Sequence, residues 1–228
     1  MKREILEQLL SAQAERHAVA LVTDLDDGTQ RVVAFENSSA DLLCDDLEHA
    51  FRFDKSGVVS VEEGEYFINI YNPPLKMVIV GAVHIAQALI PLARLAGFDV
   101  IVIDPRGAFA TADRFPEISL YPEWPDEVIS EIGLDARTAM VALTHDPKID
   151  DPALSMALKS DVFYIGALGS KRTHASRQER LAAHGFDEAA LGRICGPIGL
   201  DIGARGQVEI AIAIMAEIVR HLRLGAAS

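Results

Sequence analysis

The sequence predicts an α/β protein: a Rossmann-like parallel sheet with helices on both faces, preceded by a small α+β N-terminal domain. Three observations carry this expectation. Beyond residue 74, short apolar runs alternate with stretches of helical periodicity, as buried parallel strands alternate with crossover helices. Before it, β-rich runs are separated by two-residue turn signals. Between the two lies Asn72-Pro73-Pro74, where proline cannot donate to a sheet ladder and restricts its predecessor. The boundary is placed there, giving domains 1–72 and 73–228.

Residues 1–17 alternate charged with apolar residues and predict a helix with Ile5, Leu9 and Leu10 on one face. Ala18–Thr23, Arg31–Phe35, Val58–Val61 and Tyr66–Tyr71 read as strands of an antiparallel or mixed unit, punctuated at Asp27-Gly28, Ser56-Gly57 and Glu63-Gly64. In the second domain Met77–Val80, Val100–Ile103, Ala139–Leu143 and Val162–Ile165 read as parallel strands. His84 to Ala96 places Ile85, Leu89, Leu92 and Ala96 at helical spacing, with a kink expected at Pro91. Asp151-Pro152 reads as a helix start, an acidic N-cap followed by proline. A last helix, roughly Val208–Arg223, puts Ile210, Ile214, Ile218 and Leu222 on one stripe.

With 228 residues, half of them hydrophobic, the chain has enough apolar surface for a real core. Its net charge of −13 disfavours nucleic acid and anionic membranes as partners. No run approaches the roughly 18 apolar residues of a membrane span, and the N-terminus lacks the apolar stretch of a signal peptide. Only Cys44 and Cys195 occur, far apart, which fits a reducing compartment, so the cytoplasm is expected. Cys44 lies in an acidic segment and reads as non-catalytic, whereas Cys195 is either a small buried hydrophobe or a soft sulfur ligand.

Four segments hold candidate chemistry. Gly81-Ala82-Val83-His84 follows a strand and opens a helix, where dinucleotide-binding folds keep G-x-G-x-x-G/A, and Asp104 ends the next strand where a ribose-binding carboxylate would stand. Val83 occupies the middle glycine's place and would obstruct a pyrophosphate. Thr144-His145-Asp146 leaves another strand end. It offers hydrogen bonds and, with Asp150, candidate metal or acid–base groups, although Asp146 reads equally well as an Asp-Pro turn. Gly166-Ala167-Leu168-Gly169-Ser170-Lys171-Arg172 joins glycines, a helix N-terminus and basic side chains, and is the strongest anion-site signal. Gly196–Gly206, with Gly199, Asp201 and Gly203 at its centre, forms a glycine-rich loop before the last helix, whose amides could cradle a ligand while Asp201 braces it.

Taken together, the segments Gly81–Leu89, Leu143–Asp146, Gly166–Ser170 and Pro197–Ala204 resemble the XdhC/CoxI-type maturation factors, over residues 73–223. The resemblance departs at Val83, where members commonly carry glycine, and in a short N-terminal part. It implies a non-catalytic accessory protein that binds molybdenum cofactor, as molybdopterin or its dinucleotide form. The cofactor is held as cargo for an apo-molybdenum hydroxylase such as xanthine dehydrogenase. It also implies a cysteine desulfurase as a further partner and a homodimer. The cofactor-binding set it points to is Gly81, Val83, His84, Asp104, Thr144, His145, Asp146, Gly166, Gly169, Ser170, Lys171, Arg172, Gly199, Asp201 and Gly203, with no catalytic residue and no resident metal. The alternative is an NAD(P)-dependent oxidoreductase, favoured by Asp104 and opposed by Val83. A metal-dependent hydrolase built on His145, Asp146 and Asp150 has no second histidine nearby to support it.

Overall fold

The computed structural model describes residues 2–225, and the chain divides into two compact units, Met1–Pro73 and Pro74–Ser228. No described helix is long and apolar enough to cross a membrane.

The first unit contains α1 (Arg3–Ala14), β1 (Val19–Asp24), β2 (Gln30–Ala34), a 3-10 turn at Phe35–Ala40, α2 (Cys44–Phe53), β3 (Gly57–Val61) and β4 (Gly64–Tyr71). Its four strands pair antiparallel in the order β2-β1-β4-β3. Alternation along β1 decides which helix packs where. Ala20 and Val22 join Leu47 and Phe51 of α2, while Val19 and Leu21 join Ile5 and Leu9 of α1. The sheet is therefore apolar on both faces. The Asn72 amide donates to the Phe51 carbonyl at 2.9 Å and to the Asp54 carboxylate, fixing the chain's exit after β4.

The second unit runs β5 (Leu75–Val80), α3 (His84–Leu95), β6 (Phe98–Ile103), β7 (Ser119–Tyr121), α4 (Pro125–Ile132) and β8 (Thr138–Ala142). It continues with α5 (Pro147–Leu158), β9 (Tyr164–Ala167), α6 (Lys171–Ala183), α7 (Glu188–Leu191), β10 (Ile194–Cys195) and α8 (Gln207–Leu224). All six strands are parallel, in the order β10-β9-β8-β5-β6-β7. Every residue of β5 is buried, as the apolar run Met77–Val80 requires of a central strand, and the buried Lys76 ammonium donates to the Ile132 and Gly133 carbonyls at 3.1 Å. Met77 and Ile79 face α3 and α8, whereas Val78 and Val80 face the layer containing α4 and α5. Strand order reverses between β5 and β8, and in open α/β sheets ligands bind beyond the carboxyl ends of the strands at such a point.

This is the fold class the sequence predicts, with corrections of position. Asp151-Pro152 does not start a helix. α5 begins at Pro147, capped by the Asp146 carboxylate accepting from the Lys148 amide at 3.0 Å, and continues through Pro152. The strand expected at Val162–Ile165 lies at Tyr164–Ala167. Gly166 therefore belongs to a strand, paired with Val141 and Cys195, and not to a loop. β7 and α4 escape the sequence pattern, because one is three residues long and the other only eight.

Gly166 is a packing glycine. A Cβ there would stand 2.5 Å from both Ile198 Cδ1 and the Tyr164 hydroxyl. Gly166→Ala should cost about 1–3 kcal/mol by overpacking. Urea unfolding is expected to show a lower midpoint at unchanged far-UV circular dichroism, and an unaltered midpoint would mean that Ile198 moves aside freely.

Candidate functional site

Four loops leave the carboxyl ends of β5, β8, β9 and β10, side by side along one edge of the sheet. At the first, Gly81 has φ +117°, and a Cβ would meet Thr144 Cγ2 at 2.8 Å, so glycine is required for the close approach of the first two loops. The Ala82 amide donates to Asp104 Oδ2 at 2.7 Å. Asp104 is completely buried and also receives the Arg106 amide at 3.0 Å and its guanidinium at 2.8 and 2.9 Å. Burial pulls the Asp104 carboxyl upward, but Arg106 and the two amides outweigh it and hold its pKa below the ordinary value. The expected ribose carboxylate is thus a brace whose oxygens are already engaged. Val83 is the N-cap of α3 at φ −91°, where backbone geometry makes no demand for glycine, and His84 is exposed beside it.

The second loop is organised by Asp150, which is 1% exposed. Its Oδ1 accepts from the Thr144 hydroxyl at 2.6 Å and the Thr144 amide at 3.3 Å, and its Oδ2 accepts from the His145 amide at 3.1 Å. Burial raises the Asp150 pKa against the opposing pull of Thr144 and Arg177. His145 is held at φ 62° with its side chain exposed. Asp146, as a helix cap, and Asp150, as an internal brace, both have structural employment. Among the described residues no group of three or more His, Cys, Asp or Glu side chains is placed to hold a metal ion. Asp151 likewise serves packing, receiving the Arg180 guanidinium at 2.6 and 3.0 Å.

At the third loop Gly169 has φ +148°, and Ser170 caps α6 by accepting from the Thr173 amide at 3.1 Å. Lys171 and Arg172 are exposed. Arg177, two turns further along α6, is not legible in the sequence as a site residue, yet it is 1% exposed. Its Nη2 donates to the Leu168 carbonyl at 2.8 Å, while Nε and Nη1 have no partner. A cavity of about 240 Å³ lies here, walled by His145, Asp150, Arg172, Thr173, Arg177 and Arg180 among others. Of the sequence-predicted residues, His145 and Arg172 meet in its wall, and Thr144 stands directly behind through Asp150. His84, Asp104, Gly199, Asp201 and Gly203 lie outside it.

The fourth loop is braced differently from the expectation. Asp201 is exposed and makes no side-chain hydrogen bond with a described residue. The braces are Glu217, which accepts the Gly199 amide at 2.8 Å and the Tyr164 hydroxyl at 2.6 Å, and Glu209, which accepts the Arg205 and Gly206 amides. Cys195 Sγ is 3.5 Å from His221 Nε2, and burial together with nearby Glu217 pushes its thiol up to about 12.

A profile of the XdhC Rossmann domain matches residues 77–218. The chain belongs to the XdhC family. The resemblance read from the four motif segments is thereby borne out. A Bacillus subtilis (strain 168) protein, named as a probable subunit of xanthine dehydrogenase, is 34% identical over 158 residues, covering 68% of this XdhC chain and 45% of that protein. The Escherichia coli (strain K12) molybdenum cofactor insertion chaperone PaoD is 30% identical over 148 residues, covering 65% of this chain and 40% of its own. The chain thus matches less than half the length of these curated relatives. In fold it is similar to the crystal structure of a xanthine dehydrogenase from Bacillus halodurans, with TM-score 0.66 and 22% identity over 99% of this chain and 66% of that one.

A thiol raised to about 12 leaves about one molecule in ten thousand as thiolate near pH 8. Cys195 should therefore resist iodoacetamide in native protein while reacting readily after unfolding in urea. Peptide mass mapping of the alkylated chain reads this directly, and prompt labelling of native Cys195 would contradict a thiol held protonated by its half-buried surroundings.

Proposed function

We propose that this chain is an accessory protein that holds molybdenum cofactor as cargo and hands it to a xanthine dehydrogenase-type molybdenum hydroxylase. The observation that carries the reading is the convergence of all four family loops on one edge of the parallel sheet, where ligands of open α/β folds bind. The names of the B. subtilis and E. coli relatives support the same role. Exposed His84 and His145 are free to meet a pterin or its metal, while Asp104, Asp146 and Asp150 are committed to backbone amides. That distribution favours holding a ligand over acid–base turnover. It also disfavours the oxidoreductase reading, since Asp104 has no oxygen to spare for a ribose and Val83 occupies the place of the glycine that lets a pyrophosphate approach. A cysteine desulfurase as second partner and a homodimer complete the proposal.

Protein purified from a molybdenum-replete host should carry molybdenum and pterin fluorescence in equal amounts, and should bind NADH no better than millimolar. His145→Ala should lower cofactor retention several-fold without changing the melting temperature. Metal-free wild type together with micromolar NADH affinity would replace this reading by the oxidoreductase.

A further inference from the structure

Arg177 is a guanidinium with unused capacity. Its side chain is only 2% exposed, and its Nη2 is spent on the Leu168 carbonyl. Asp150 Oδ2 lies 3.8 Å from Nη2, too far for a hydrogen bond, and that carboxylate already serves Thr144 and His145. Nε and Nη1 are buried with no acceptor. Asp151 does not supply one: its carboxylate is turned to Arg180. Buried polar groups are nearly always paired, so two orphan donors on one cation in a cavity wall need explaining.

The surroundings point the same way. Arg172 is exposed on the cavity wall, and Thr173 adds a hydroxyl. α6 begins here with a neutral serine cap and no acidic residue in its first turn, so its positive end is not neutralised locally. Elsewhere along the edge carboxylates plug the loop amides: Asp104 at Ala82, Asp150 at Thr144 and His145, and Glu217 at Gly199. The loop before α6 has no such plug among the described residues.

We propose that this cavity is a seat for a terminal phosphate, a tetrahedral monoester dianion, with Arg177 as its buried anchor and Arg172 as its exposed clamp. The seat itself stands on Arg177. Only the identification of its occupant as the phosphate end of the cargo rests on the function proposed above. It moves the expected anion site away from Gly166, Ser170 and Lys171 and onto the next turns of α6.

The test is calorimetric titration of the cofactor-free protein with inorganic phosphate, methyl phosphate and dimethyl phosphate. Phosphate and methyl phosphate should compete for one site, with the singly charged diester at least about tenfold weaker. Losing one charge-assisted contact should weaken binding about tenfold to a hundredfold, so Arg172→Ala and Arg177→Met should each do so. Lys171→Ala, outside the cavity wall, should not. Arg172 is exposed, so its variant keeps the test valid if Arg177→Met does not fold. No binding by wild type up to about 10 mM phosphate, or wild-type affinity in Arg172→Ala, overturns the seat. Equal affinity for the diester overturns its assignment to a terminal monoester. Because no cofactor is used, phosphate binding without molybdenum retention removes only the cargo reading, and the reverse result removes only the seat.

Discussion

The carboxylate of Asp150 ties the carboxyl end of β8 to the first turns of α5. Buried at 1% exposure, it collects the Thr144 hydroxyl and the amides of Thr144 and His145. Those amides leave the sheet where no ladder can satisfy them, and an unpaired buried donor costs about 1–3 kcal/mol. With the amides pinned, the chain turns through the positive φ of His145, and the imidazole is left in solvent. In the same cavity wall, this carboxylate gives Arg177 a counter-charge at 3.8 Å without filling its donors. The exposed histidine and the unfilled arginine are thus two consequences of one buried acid.

The same device recurs along the edge. Asp104 holds the Gly81 loop through Ala82, and Glu217 holds the last loop through Gly199. Each acid comes from a different element than the amide it holds, so each contact also locks the order of strands and helices. The cost is that these loops lose the free amides that make glycine-rich turns attractive to anions. Glycines at Gly81 and Gly199 are therefore needed for close packing, against Thr144 and against the backbone of α8, more than for contact with a ligand.

Much of the fold was legible because it rests on periodicity. Continuous apolar runs located the central strands of the parallel sheet, and the Ile214 and Ile218 stripe located α8. What failed was decided by contacts distant in sequence. Two Asp-Pro pairs stand five residues apart, and only the path from β8 selects Asp146-Pro147 as the cap, leaving Asp151 to pair with Arg180. Gly166 looks like the start of a loop until Ile198 is seen packed over it. Arg177 was hidden in a strongly polar helix, Lys171–Ala183, where nothing local separates a buried arginine from its exposed neighbours. Asp201 erred the other way: its glycine neighbours suggested a brace, but Glu217 reached the loop first from α8.

Holding an anion inside a protein of net charge −13 divides the electrostatics by range. The envelope repels an approaching dianion, but salt screens that repulsion beyond about 8 Å at physiological ionic strength. The cavity wall holds Arg172, Arg177 and Arg180 against Asp150, and Asp151 outside the wall pairs with Arg180, which leaves a local excess of one positive charge reinforced by the α6 terminus. On the carrier role proposed above, such a balance is what release requires. Three unopposed arginines would hold a phosphate more tightly, whereas Asp150 beside Arg177 offers a counter-charge when the anion departs. Burial acts toward grip: it pushes the Arg177 pKa down, which records the desolvation cost of its charged form. An occupant relieves part of that cost without removing Asp150. On the proposed reading, the strength of the grip and the ease of release are set by the same buried acid that shapes the loop.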